Sequence, residues 1–252
     1  MLRSPGHLAT PRKLPPILGP TQNLLLRMLP LQDLSLLLAD ASEVNLQPGA
    51  ILRGGHEQPT SVYFPMSGIV SLDIVMRNEQ SAEAALVGHN SAVALLTGLG
   101  VAHVHGRALV QAPGRAIKIP VPRFTAAARN SRIREMVIKG VALLFWESQQ
   151  NVACAAIHDV QSRLCRWLLR CHDLCNCETI PLTQDFLARM LALRRTTITL
   201  AASGLQDVGI IQYRRGIIQV LDRVGLEQRS CECHAVIAQQ VHQMTAAKLD
   251  TH

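Results

Sequence analysis

Aromatic side chains make up only 3% of the 252 residues. Proteins that hold unpaired bases do so largely by stacking them on Phe, Tyr and Trp, so single-stranded nucleic acid is a poor fit to this composition. No apolar run reaches the roughly 18 residues that a bilayer span needs. The leucine-rich stretch Leu24 to Ala39 comes nearest, and Arg27, Pro30 and Asp33 break it. The N-terminus lacks the basic flank, apolar centre and small-residue cleavage site of a signal peptide. These absences predict a cytoplasmic protein with no membrane partner. Also missing is any Ser-His-Asp order, phosphate loop or paired carboxylate in a recognisable setting, so no catalytic residue is assigned. No cysteine precedes Cys154, and the seven cysteines are an odd number. Without an export signal they read as reduced thiols and not as a disulfide framework.

What is present is enough apolar material, 48% against 17% charged, to offset the ordering entropy of a folded chain. The formal charge of +7 favours a polyanionic partner, and with few aromatics that partner is double-stranded DNA. Residues 1–20 form an arm whose five prolines, set among Arg3, Arg12 and Lys13, oppose both helix and ladder pairing. From Thr21 to Ala41, leucines at helical spacing predict short helices over 24–29 and 31–38, parted by Pro30. Between Val44 and Pro120 short apolar runs alternate with turn pairs such as Pro48-Gly49, Gly54-Gly55, Ser67-Gly68, Arg77-Asn78 and Pro113-Gly114. That texture predicts a β sandwich or barrel, its clearest strand being 69–75.

After Pro122 an apolar stripe through Ile133, Val137, Val141, Leu144 or Phe145, Ser148, Val152 and Ala155 predicts one long helix. Such a helix has more apolar face than one neighbour covers, and pairing with its copy in a second chain is the natural remedy.

The segment from Leu182 to Ile211 is the most informative. Thr183 is placed to cap a helix running to about Met190, Ala192-Leu193 makes a bend, and a second helix starts at Arg194 or Arg195. Ile198, Ala201, Ala202 and Leu205 form its inward stripe, leaving Arg195, Thr196, Thr199, Leu200 and Ser203 outward. Arg donates twice to guanine and Thr reads a base or a thymine methyl, so this face suits the major groove. Two strands over 210–213 and 217–221 follow, joined by Arg214-Arg215-Gly216, whose arginines are placed to reach phosphate. The candidate DNA-binding residues are Thr183, Arg194, Arg195, Thr196, Thr197, Thr199, Leu200, Ser203, Arg214 and Arg215.

With these residues the chain resembles the cyclic-AMP-receptor-protein and fumarate-nitrate-regulator (Crp/Fnr) family of bacterial transcription factors. The resemblance extends to Val62-Tyr63-Phe64-Pro65 and Ser67-Gly68-Ile69-Val70. It implies an α+β fold: a flexible arm (1–20), a jelly-roll sensor (21–120), a linker and dimerisation helix (121–158), a winged helix-turn-helix domain (159–235) and a tail (236–252). It further implies that Arg195 matches a guanine-reading arginine. Thr196 stands where many members have glutamate, Leu200 where cyclic-AMP receptors have a basic residue, and Ala192 replaces the usual turn glycine. The expected partners are an inverted-repeat DNA operator, a second copy of the chain, and RNA polymerase.

Cyclic-nucleotide relatives hold ribose with a Gly-Glu pair and the phosphate with Arg-Ser or Arg-Thr. Here no acidic residue lies between Glu83 and Glu135, the Gly-Glu slot falls near Ala94-Leu95, and Arg107, the one effector-site candidate, is followed by Ala108. Cyclic AMP dependence is not predicted. His103 and His105, if alternating on one strand, would share a face, but only the distant His89 offers a third ligand. No metal site and no cofactor is assigned. Cys171, Cys175 and Cys177, and the run Cys231-Glu232-Cys233-His234, lack paired C-x2-C spacing and read as ordinary thiols. A thiol- or metal-responsive regulator using Cys171 to Cys177 is the alternative. A metal-dependent jelly-roll enzyme using the histidines is a further one.

Overall fold

The computed structural model describes residues 12–13, 22–55, 57–103, 105–175 and 179–246. Helix α1 (Leu24–Arg27) starts at Asn23, whose side-chain Oδ1 accepts from the amides of Leu25 and Leu26. The buried Asn23 amide group also donates to the carbonyls of Pro65 and Ser91, pinning the helix to the sheets. Pro30 then forces the break before α2 (Leu31–Leu38).

Two four-stranded antiparallel sheets follow. One runs β1 (Arg12–Lys13), β2 (Ser42–Leu46), β8 (Gly114–Pro120), β4 (Ser61–Pro65). The other runs β3 (Ile51–Arg53), β7 (Arg107–Ala112), β5 (Ile69–Val75), β6 (Ser81–Val87). Val44, Leu46, Val62, Phe64, Ile117 and Ile119 of the first sheet meet Val70, Val87, Ala108 and Val110 of the second in one core. This is the expected N-terminal roll, and the turn pairs read from the sequence fall between its strands, except that Gly114 already opens β8. Arg12–Lys13 departs from the expectation for the arm: despite the prolines around it, it pairs with Ser42 and Glu43. The rest of residues 1–20 lies outside the described residues.

After β6 come a 3-10 turn (Leu95–Leu99) and, beyond β8, α3 (Val121–Ala127); α4 (Ser131–Ile157) is capped by the Asn130 side chain. Gly140 lets α4 press onto the roll: a Cβ there would stand 2.7 Å from Leu95 and 2.8 Å from Leu25. The inward face of α4 is Ile133, Met136, Val137, Gly140, Leu143, Glu147 and Cys154. Of the expected stripe, Ile133 and Val137 are buried in the chain's own core and Val141 and Leu144 pack against it. Val141 and Ser148 are half-buried, and Ile138, Phe145, Val152 and Ala155 face out.

The C-terminal unit contains α5 (Val160–Cys175), β9 (Thr179–Pro181), α6 (Gln184–Met190), α7 (Arg195–Asp207), β10 (Ile211–Arg214), β11 (Ile217–Val220), α8 (Arg223–Arg229) and α9 (Cys233–Ala246). Its core joins Trp167, Leu168 and Leu174 to Leu187, Ile198, Leu205 and Ile218, and it also takes in Ile69, Leu86 and Ala112 from the outer face of the roll. Residues 236–246, expected as tail, continue helix α9, whose Val241 and Met244 pack against the sensor core.

Candidate nucleic-acid interface

The Thr183 hydroxyl accepts from the amide of Phe186 and caps α6, with Asp185 in the first turn facing the positive end of the helix dipole. Leu187, Met190 and Leu191 are buried, as their spacing requires. The chain then reverses at Ala192, which adopts φ +52°, a left-handed conformation unusual for a residue with a Cβ. In α7, Ile198, Ala202 and Leu205 are buried and Ala201 half-buried. Arg194, Arg195, Thr196, Leu200 and Ser203 are exposed, with Thr197 and Thr199 half-buried.

Three contacts gather the site. Arg195 Nη1 lies 3.3 Å from Asp185 Oδ1, the Thr199 hydroxyl donates to Gln184 Oε1 at 2.8 Å, and a Cβ on Gly216 would stand 3.5 Å from Thr183 Cγ2. The start of α6, the first two turns of α7 and the turn between β10 and β11 therefore converge. That turn has two residues, Arg215 at φ +50° and Gly216 at φ +77°, the double left-handed geometry of a type I′ hairpin. It leaves Arg214 and Arg215 exposed at its tip. All ten sequence-assigned residues thus lie in or beside one surface. A third wing strand, β9, was not foreseen; with three residues and Pro181 it is too short to carry an alternation signal, yet it pairs with β11 and buries Ile180.

Residues 162–229 match the Crp-like helix-turn-helix domain family. No curated protein matches the sequence. Among solved structures, the chain is similar to TTHA1359, a transcriptional regulator of the CRP/FNR family from Thermus thermophilus, at 18% identity and TM-score 0.60 over 75% of this chain and 97% of that one. FixK2 from Bradyrhizobium japonicum aligns at 15% identity and TM-score 0.63 over 76% and 98% of the two chains. The c-di-GMP responsive global regulator CLP from Xanthomonas campestris aligns at 14% identity and TM-score 0.61 over 75% and 98%. The chain carries a Crp-like helix-turn-helix domain within the Crp/Fnr fold.

The residues expected to hold an effector are placed as follows in the N-terminal roll. Ala108 and Val110 face the interior of the roll. Arg107 alternates to the other face, where it is the cross-strand partner of the buried Asp73 and forms a 3.0 Å ion pair with it. Leu95 of the Ala94-Leu95 slot is buried in the core. His103 and His105, expected on one strand, fall instead in the loop before β7, because the strand begins only at Arg107. Cys171 is buried in α5, and burial pushes its thiol well up; Cys175, expected as a reduced thiol, is instead disulfide-bonded. Cys177 lies outside the described residues.

Beside the apolar contact of Ile69, Leu86 and Ala112, the roll and the C-terminal unit are joined by a set of buried polar contacts. Trp167 of α5 donates its indole N–H to both carboxyl oxygens of Glu83 on β6 at 3.0 Å. Burial raises the Glu83 carboxyl to about 8, with neighbouring Glu147 adding to the rise and Trp167 and Arg166 opposing it. Glu147 of α4 holds Arg170 through two hydrogen bonds, at 3.1 and 2.7 Å, in a buried ion pair. Asn151 donates to the carbonyl of Ala84 and accepts from Arg166.

Sequence reasoning also missed a set of thiols. Cys154 and His158, at the end of α4, meet Cys231 and Cys233, before and at the start of α9. The signal was present as C-x3-H at helical i, i+4 spacing together with C-x-C, but 73 residues of chain separate His158 from Cys231.

Proposed function

We propose that this chain is a homodimeric, sequence-specific regulator of transcription that binds double-stranded DNA, and that it is not an enzyme. The carrying observation is the outward face of α7. Arg195, Thr196, Leu200 and Ser203 are exposed on a helix whose other face is buried, beside a wing tip bearing Arg214 and Arg215. Arg195 is the base reader, Thr196 and Ser203 supply hydrogen bonds, Leu200 offers apolar contact to a thymine methyl, and the wing arginines hold phosphate. Thr183, Arg194, Thr197 and Thr199 support the same surface. Ile138, Phe145 and Val152 are spaced by sevens on the exposed side of α4 and form the seam with a second copy. A cytoplasmic location and contact with RNA polymerase accompany this reading.

Cyclic AMP is not the effector in this proposal. The ion pair of Arg107 with Asp73 and the absence of any acidic residue between Glu83 and Glu135 support that part. Calorimetric titration with cyclic AMP is expected to give no heat of binding, and a saturable site would overturn it.

Selection of bound duplexes from a random pool at fixed salt is expected to return an inverted repeat with half-sites about 34 Å apart. Recovery of only salt-sensitive, sequence-blind binding would refute the proposal. On the selected duplex, Arg195→Ala should cost about 1–3 kcal/mol while leaving random-sequence binding unchanged. Arg214→Ala and Arg215→Ala should weaken both alike and reduce the salt slope by about one each. Equal losses for Arg195→Ala on both duplexes would remove its base-reading role.

A further inference from the structure

Cys154 and His158 stand one turn apart where α4 ends, His158 being its C-cap. Cys233 is the first residue of α9, and Cys231 precedes it by two. The four potential ligand atoms all lie within 4.8 Å of one another. Cys154 Sγ is 3.5 Å from Cys231 Sγ, and Cys233 Sγ is 3.6 Å from His158 Nδ1. A tetrahedral zinc ion with Zn–S near 2.3 Å and Zn–N near 2.05 Å separates its ligands by about 3.8 Å for S–S and about 3.6 Å for S–N. The Cys154–Cys231 and Cys233–His158 pairs are already close to those separations, and no pair of the four atoms exceeds 4.8 Å.

The surroundings suit the ion as well. The three thiols are buried and the imidazole half-buried. His158 Nε2 lies 3.1 Å from a Glu232 carboxylate oxygen, an arrangement that fixes the ring with Nδ1 as its inward nitrogen and makes that nitrogen a stronger donor. Gln150 donates to Cys233 Sγ at 3.0 Å, as outer groups do to metal thiolates. Three thiolates and a neutral imidazole around a divalent ion leave one negative charge, and Arg163 and Arg166 are close enough to offset it electrostatically.

We propose that Cys154, His158, Cys231 and Cys233 bind one zinc ion in a closed Cys3His site that clasps the end of α4 to the start of α9. On binding, the three thiols release three protons to solvent and form three Zn–S bonds, with no change of oxidation state. All four positions are filled by protein, so the site is structural and leaves no place for a substrate. Its position matters because α4 breaks at His158 before α5 opens the DNA-binding domain at Val160. The ion spans that break and ties the far end of the domain back to the long helix. The site stands independently of DNA binding, so failure of one proposal leaves the other intact.

The test uses the full chain, reduced and dialysed, after loading with zinc or cobalt(II). One tightly held equivalent per chain is expected, with the visible bands of tetrahedral thiolate-bound cobalt. Cys233→Ser should reduce bound metal from one equivalent to none, while His103→Ala, which alters an exposed loop histidine, should keep it all. Because the serine variant risks misfolding, His158→Cys provides a second readout. It should retain one equivalent and shift the cobalt bands toward those of four thiolates, which an unfolded chain would not reproduce. Substoichiometric metal on the reduced wild-type chain, loss of metal in His103→Ala, or a Cys154–Cys231 disulfide in freshly reduced protein would each overturn the proposal.

Discussion

At the scale of single residues, Ala192 is the most telling position. It sits at φ +52° in the turn between the two helices of the DNA-binding motif, where an L residue with a Cβ costs about 1–2 kcal/mol. Its side chain is exposed, so removing the methyl group loses no buried contact. Ala192→Gly should therefore raise unfolding free energy by about 1 kcal/mol in denaturant titration, net of the entropy glycine adds to the unfolded chain. A destabilised glycine variant would mean that the turn is held by something other than backbone preference. Much of this site was legible in advance for a physical reason: Thr183, Ile198, Leu205 and Gly216 owe their positions to local rules of capping, helical period and hairpin turns. Cys154, His158, Cys231 and Cys233 owe theirs to tertiary packing, and no local rule joins residues that distant in sequence. The placement of His103 and His105 failed at a strand boundary. The sequence pattern locates β7, but not the residue where its pairing begins.

At the scale of elements, α4 works on two sides. Gly140, Leu143 and Glu147 face the chain's own fold, while Ile138, Phe145 and Val152 repeat every seven residues toward solvent. The periodic stripe was readable, but which of its residues turn inward and which stay exposed was not, because both faces contribute apolar residues at spacings of three and four. Phe145→Glu places a charge in the exposed row without touching the inward one. Analytical ultracentrifugation should find this variant monomeric with an unchanged circular dichroism spectrum, and operator affinity should fall by at least tenfold. A dimer of undiminished stability would assign the association to another surface. The wing is a contrasting case: its hairpin was evident from Arg215-Gly216, while β9 became visible only through its pairing with β11.

At the scale of the whole molecule, the junction between the roll and the C-terminal unit buries charged groups next to its apolar contacts. Glu83 has an ordinary carboxyl pKa when unfolded and one of about 8 when folded. Below the unfolded value both states are protonated and the group has no effect on stability. Between the two values the unfolded chain loses a proton that the folded chain keeps, so stability falls as pH rises and levels off above about 8. Thermal midpoints measured from pH 5 to 9 should decline for the wild type relative to Glu83→Gln, which keeps an acceptor for the Trp167 indole. Parallel curves would show that Glu83 ionises freely in the fold.

The same helix that carries the exposed row of sevens is also seated in the sensor core, with Gly140 pressed against Leu25 and Leu95. At about 1.5 Å per residue its 27 residues make a rod about 40 Å long, seated on the roll at Gly140 and again through Glu147 and Asn151, which bond to Leu86 and Ala84, before the chain enters α5. In the proposed dimer the spacing of the two reading heads would follow from how each α4 is docked on its own roll, so the register between half-sites would be set inside the sheet domain.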